Sequence, residues 1–238
     1  MNRSRARHIL EYPLNLAGAI AAARRLRRHQ QQSPEEALAF ARSFRWYRGS
    51  NIRPTQQDEE ILSLLRELAK RPPRTVVEIG TDTGGTLFLF SRVAAPDAVL
   101  VTVDQQPLGA LRNYSAWAIV RRAFARDRQR IELLIPRDSH DPKTVEEVRR
   151  RLDGRSADFL FIDGDHEYDG VKRDFELYAP LVRPGGLIAF HDVNESNWPG
   201  VIRLWNEIKL DHETHEFVAN DPPGRYGIGV IAVRAASA

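Results

Sequence analysis

The sequence predicts an α/β fold: a mainly parallel sheet with helices on both faces, a helical extension before it and an antiparallel hairpin at its end. Three observations predict it. Short apolar runs at 75–79, 99–103, 131–134, 158–162 and 187–190 alternate with stretches long enough for crossover helices, the pattern of parallel strands covered on both sides. Two further β-like runs, at 214–219 and 227–234, are joined only by Asn220-Asp221-Pro222-Pro223-Gly224. A parallel crossover needs a dozen or more residues, so these two runs pair antiparallel. Finally, 238 residues with 42% hydrophobic content and no low-complexity tract suit one globular core.

The elements before the sheet are helical and basic. Residues 1–30 carry Arg3, Arg5, Arg7, Arg24, Arg25, Arg27 and Arg28 against Glu11, a balance of +6 in a chain whose total is +3. The remainder therefore sums to −3, and the basicity is local. It reads either as an arm for an anionic partner or as a solvated helix face in a chain with 31 Arg and four Lys. Ser33-Pro34-Glu35-Glu36 has Ser at an N-cap, Pro at the first helical position and acids in the first turn, a helix start. A helix over 56–70 follows from the spacing of Ile61, Leu64, Leu65 and Leu68, and Arg71-Pro72-Pro73 stops it. The division expected is a helical extension over 1–55, serving as a lid or a contact between copies, and a sheet domain over 56–238.

Composition removes several classes of function. The chain has no cysteine, which excludes disulfides, thiolate zinc sites and cysteine nucleophiles and suits a cytoplasmic location. No apolar stretch approaches the roughly 18 residues of a membrane span, and no signal-peptide apolar core stands near the start. No nucleic-acid partner is expected.

The first strand ends in a glycine loop. VVEIGTDTGGT, 76–86, places Glu78 near the strand end, Gly80 at the turn and Gly84-Gly85 at the start of the next helix. Glycine there permits positive φ and close approach of a ligand to the backbone, and the helix N-terminus offers amides to a carboxylate or phosphate. Asp104 closes the second strand, 24 residues after Gly80, where an acid can accept hydrogen bonds from ribose hydroxyls. Taken alone this loop fits any nucleotide site, or a tight turn with no ligand.

Two later strands end in acid and imidazole. FIDGDHEYDG, 161–170, delivers Asp163, Asp165 and His166, and PGGLIAFHD, 184–192, delivers His191 and Asp192. If the strands are parallel neighbours, these groups meet at their carboxyl ends, where open α/β sheets place ligands. That suffices for a metal site with a general base beside it. Asp165 also reads as a helix N-cap, and His191 either as a metal contact or as a group orienting Asp192.

Together these residues resemble the class I S-adenosylmethionine-dependent methyltransferases over residues 75–234, whose Rossmann-like sheet ends with an antiparallel strand. The resemblance implies that Glu78 meets the methionine amino group and that Gly80, Thr81, Gly84, Gly85 and Thr86 surround the cofactor. Asp104 matches the ribose-binding acid. Arg137-Asp138-Ser139 resembles the loop near the adenine, with Arg in place of the usual Gly, so Asp138 and Ser139 join the cofactor-binding residues. Within that class, IDGDH followed by AFHD resembles the metal-dependent O-methyltransferases of macrolide sugars and rhamnose, and the cephalosporin hydroxylase-like proteins. The positions imply Asp163, His191 and Asp192 as metal ligands, with Asp163 also beside the cofactor, and His166 as base. His191 stands where those relatives carry a carboxylate.

The residue types suit the reaction so implied. A divalent cation lowers the pKa of a bound hydroxyl, and an imidazole can accept its proton near neutrality. Carboxylates favour Mg2+, while an imidazole ligand moves the preference toward Mn2+, iron or zinc. The expected function is therefore divalent-metal-dependent O-methylation of a small hydroxylated acceptor, a sugar or glycoside by resemblance, in a chain that forms homo-oligomers. The alternatives are an accessory cofactor-binding protein of the same fold and a nucleotide-dependent oxidoreductase. The Phe44-Arg45-Trp46-Tyr47 cluster and Trp198 are candidate pocket walls, or ordinary helix packing.

Overall fold

A computed structural model of the chain describes residues 3–29, 33–105, 114–219 and 226–234. The strands are β1 (Thr75–Ile79), β2 (Val99–Val103), β3 (Arg130–Leu134), β4 (Ala157–Ile162), β5 (Val182–His191), β6 (Thr214–Phe217) and β7 (Ile228–Ala232). They form one sheet in the order β3-β2-β1-β4-β5-β7-β6. Neighbours from β3 to β5 pair parallel, and β7 runs antiparallel between β5 and β6. The hairpin expected at the chain end is present, although its Asn220–Gly224 connection lies outside the described residues. A doubly wound dinucleotide-binding sheet has the strand order 3-2-1-4-5-6; insertion of an antiparallel strand sets this one apart.

Among the described residues eight helices surround the sheet: α1 (Arg3–Arg28), α2 (Pro34–Ser43), α3 (Asp58–Lys70), α4 (Gly85–Val93), α5 (Tyr114–Arg122), α6 (Pro142–Arg151), α7 (Tyr168–Tyr178) and α8 (Pro199–Asp211). Side chains that alternate along a strand face opposite layers. Phe159 and Phe161 of β4 pack into one apolar cluster with Leu26, Leu64, Phe88 and Phe124, while Leu160 and Ile162 pack into the other with Tyr178, Phe190 and Trp205. Because both faces are covered, β1, β2 and most of β4 are buried along their length. Ala19, Ala22 and Leu26 of α1 belong to the same cluster as the sheet's Phe159.

Local sequence explains the helix ends. Ser33 and Glu36 form a reciprocal capping box at α2 with Pro34 at its first position. Asp58, Glu59 and Glu60 crowd the first turn of α3, where the helix dipole favours acids. Two expectations are corrected. β5 begins at Val182, earlier than residue 187, because Val182 pairs with Ala157 across a bulge that accommodates Pro184 and two glycines. Asp165 is not the N-cap of α7: Glu167 holds that position, and Asp165 Oδ1 instead accepts from the Glu167 amide at 2.8 Å in a turn before the helix.

Candidate active site

A cavity of about 520 Å³ opens above the carboxyl ends of β1, β2 and β4. That is the sheet edge at which α/β folds bind ligands, and the volume suits a small molecule. Gly80, Thr81, Gly85 and Thr86 line it from the glycine loop, Asp104 from the end of β2, Ser139 from the loop after β3, and Asp163 and His166 from the end of β4. Glu78, Gly84, Asp138, His191 and Asp192 do not line it.

The glycine loop is held by side chains beneath it. Asp104 Oδ2 accepts from the backbone amides of Thr81 and Asp82, each at 2.8 Å. Gly80 has φ of 86°, and a Cβ there would stand 2.0 Å from the carbonyl oxygen of Asp163. Its freedom is used for close approach of β1 to the end of β4, in addition to any ligand. Glu78 is fully buried. Its Oε1 accepts from Thr86 Oγ1 at 2.6 Å, and its Oε2 from Thr102 Oγ1 at 2.7 Å and Thr81 Oγ1 at 3.0 Å. Burial pushes its carboxyl up to about 7, against the three hydroxyls that favour the ionised form.

The two acid and imidazole motifs meet as neighbours because β4 pairs parallel with β5. His191 Nδ1 lies 3.2 Å from both Asp163 Oδ1 and Asp192 Oδ2. His166 Nε2 lies 2.9 Å from Asp192 Oδ2 and 3.8 Å from Asp163 Oδ1. One donor atom each from Asp163, His191 and Asp192 fall within 4.8 Å of one another. Asp192 adopts φ of 62° at the end of β5, a left-handed conformation that Asp tolerates better than most residues.

The electrostatics follow from this packing. Burial opposes charge on His191, but the carboxylates of Asp163 and Asp192 outweigh it and raise the imidazole to about 10. Burial would raise Asp192, yet hydrogen bonds from His166 and His191 bring it down to about 2. The bond to Asp192 raises His166, against burial. The donor set fits a divalent cation of borderline hardness, with two carboxylates and one imidazole in reach. Asp192 Oδ1 is buried and has no hydrogen-bond partner among the described residues, leaving a further lone pair for such an ion.

A family model described as a methyltransferase domain matches residues 77–193. Over 159 residues the chain is 31% identical to the uncharacterized protein R132 of Acanthamoeba polyphaga mimivirus, a match covering 66% of this chain and 69% of that one. The chain belongs to this methyltransferase family. Over 74 residues, 31% of its length, the methyltransferase is also 34% identical to demethylmacrocin O-methyltransferase of Streptomyces fradiae. It spans only 17 and 18% of the length of two of the curated relatives it matches. Among solved structures, CalS11, a TDP-rhamnose 3'-O-methyltransferase, superposes with a TM-score of 0.54 at 18% identity, covering 74% of this chain and 77% of that one. The fold is thus the Rossmann-like one of the class I S-adenosylmethionine-dependent O-methyltransferases.

Several residues of the methyltransferase cavity carry no signal in the sequence. Arg53, Pro54, Thr55 and Gln56 form a strap that lines it from the segment before α3, and His140 lines it beside Ser139. Gln56 Nε2 donates to Asp163 Oδ2 at 2.8 Å across 107 positions of sequence. No local periodicity marks such a contact. Asp138 accepts from the His140 amide at 2.9 Å and from Gln105 Nε2 at 3.2 Å. Trp198 does wall the cavity, its ring 4.4 Å from that of His166. Phe44 is instead buried in the core, and Trp46 packs edge-on against Trp117 at 5.1 Å. Among the described residues no helix is long and apolar enough to cross a membrane.

Proposed function

We propose that the chain is a divalent-metal-dependent O-methyltransferase that moves the methyl group of S-adenosylmethionine to a hydroxyl of a small molecule, a sugar or glycoside, with His166 as general base. The observation that carries this reading is the pairing of His166 with Asp192 on the wall of a cavity that also holds the glycine loop and Asp104. An imidazole bonded to a carboxylate through one nitrogen keeps its other nitrogen as the basic atom. With Nε2 engaged by Asp192, His166 Nδ1 takes the proton from the acceptor hydroxyl.

The charge around the cavity supports a cationic donor. Asp82, Asp104, Asp163, Asp165 and Glu167 line it against Arg53 and Arg137, a field that attracts a sulfonium and opposes the pyrophosphate of a dinucleotide. S-adenosylmethionine, when bound, supplies an electrophilic methyl whose bond to sulfur breaks as the acceptor oxygen attacks, leaving a neutral thioether. Asp104 accepts from the ribose hydroxyls while keeping the Thr81 and Asp82 amides in place. Ser139 and His140 close the cavity beyond Asp104.

Asp163, His191 and Asp192 would hold the cation, which lowers the pKa of a bound hydroxyl and fixes its position. The two carboxylates suit Mg2+, and His191 broadens the choice toward Mn2+. The half-exposed Trp198 ring beside His166 offers an aromatic face to a sugar ring, whose C–H groups pack on such a surface. The names of two similar proteins, a demethylmacrocin and a TDP-rhamnose O-methyltransferase, support a sugar-bearing acceptor. The test is a screen of glycosides and polyols for methyl transfer from S-adenosylmethionine, with and without Mg2+. Metal-stimulated methylation of a glycoside is expected; transfer that is indifferent to chelation would remove the metal from the mechanism.

A further inference from the structure

The strap before α3 is fastened at both ends. Arg42 of α2 donates to the carbonyl oxygens of Pro54 and Gln56, and its Nε lies 2.9 Å from Asp58 Oδ1 at the start of α3. At the other side the strap presses on the glycine loop: a Cβ on Gly85 would meet Pro54 N at 2.5 Å and the Ile52 carbonyl oxygen at 2.8 Å. Gln56 therefore hangs between the first turn of α4 and the end of β4. The residue is 2% exposed, yet it borders the cavity.

The two ends of its amide are in different states. Nε2 donates to Asp163 Oδ2 at 2.8 Å, which leaves Asp163 Oδ1 to face His191 at 3.2 Å. Oε1 is buried with no hydrogen-bond partner among the described residues, a position that costs about 1–3 kcal/mol if never filled. We infer that Gln56 is a positioning residue of the site, its amide nitrogen fixing the Asp163 carboxylate and its amide oxygen accepting from the amino group of the bound methyl donor. Glu78 is fully buried and accepts from three threonine hydroxyls below the cavity, so the Gln56 amide oxygen is a further acceptor beside it for that amine. The inference rests on the functional reading given above.

The test compares the full chain with Gln56→Met, which keeps the side-chain length and removes both polar ends. Binding of S-adenosylhomocysteine is measured by calorimetry and of Mn2+ by electron paramagnetic resonance, with circular dichroism as the check on folding. A partner that orients a ligating group is worth about tenfold or more in affinity, so about tenfold weaker binding of either probe is expected. In an Asp163→Asn background, where the carboxylate to be fixed is gone, the Gln56→Met effect on S-adenosylhomocysteine should shrink. A purely structural glutamine would not produce that coupling. Should Gln56→Met fail to fold, Gln56→Asn draws the amide back by one methylene and takes its place. Unchanged affinity for both probes, or an effect of the same size with and without Asp163, overturns the inference while leaving the function intact. A wild-type chain that binds S-adenosylhomocysteine but no Mn2+ removes only the metal, and Gln56 is then judged on the former probe. A wild-type chain that binds neither overturns the functional reading and this inference with it.

Discussion

His166 Nε2 and Asp192 Oδ2, delivered by the ends of adjacent parallel strands, lie 2.9 Å apart, with the ring of Trp198 covering the imidazole. The bond raises the His166 pKa against the effect of burial, and together with His191 it lowers Asp192 to about 2 despite burial. For His166 the folded value exceeds the unfolded one, so its stabilisation is complete below about 6.5 and is lost as pH rises through the raised value. For Asp192 the folded value is depressed, so its stabilisation is present above about 4 and is lost as pH falls toward about 2. The pair is therefore worth most between about 4 and 6.5. Asp192→Asn should lower the melting temperature most within that window, and the imidazole resonance of His166 should titrate at lower pH in the variant. An unchanged titration would separate the two residues. On the proposed mechanism the protonated imidazole cannot act as a base, so the acid limb of the wild-type rate profile should lie above about 6.5.

Glu78 gives a slope opposite to that of Asp192. Its carboxyl ionises near 4.5 when exposed and near 7 in the fold, where burial outweighs the hydroxyls of Thr86, Thr102 and Thr81. Between those values the folded chain keeps a proton that the unfolded chain has released, so stability falls as pH rises. The full cost, about 3 kcal/mol, is reached above about 7. Thermal melts from pH 4.5 to 8 should fall less steeply for Glu78→Gln than for wild type. Parallel curves would mean that the wild-type carboxylate ionises as readily in the fold as outside it.

Gly80 and Gly85 should fail in different ways. Alanine at Gly80 would adopt an unfavourable φ of 86° and set its Cβ 2.0 Å from backbone, so neither neighbour can yield cheaply. A loss of at least about 2 kcal/mol in stability is expected from urea unfolding. Alanine at Gly85 has no such φ and presses on Pro54 and Ile52 of the strap. It should displace the strap, weakening S-adenosylhomocysteine binding by more than its effect on stability would account for. Equal loss of stability in both variants would show that the strap is part of the folding core.

The fold was legible wherever chemistry is local. β1 and β2 fall on the runs 75–79 and 99–103, because both are bounded by turn residues and buried on both faces. The end of β5 is legible in the sequence and its beginning is not, since Pro184 and two glycines disguise a strand that continues through a bulge. The meeting of His166 with Asp192 followed from strand adjacency. Gln56 did not, because its bond to Asp163 depends on how Arg42 and Gly85 dispose the strap, which no residue spacing records. Glu78 was legible as a residue near a strand end, but its burial under three threonines arises from packing among β1, β2 and the glycine loop.

His191 distinguishes two uses of the same three side chains. Its Nδ1 stands 3.2 Å from an oxygen of Asp163 and from one of Asp192, and the two carboxylates hold the ring cationic well above neutral pH despite burial. In that state the imidazolium itself neutralises the acids. A metal ion bound by the proposed ligands needs the lone pair on that nitrogen, so the proton must leave as the ion enters. Calorimetric titration of Mn2+ at pH 7 in buffers of different ionisation enthalpy should therefore report release of about one proton per ion, and affinity should climb with pH toward 10. His191→Asn keeps a polar group at the position but has no proton to give up. It should bind Mn2+ with no proton released and with a flatter pH dependence. If wild type and variant release the same number of protons, the ion does not displace the His191 proton, and the imidazolium remains the counter-charge of Asp163 and Asp192.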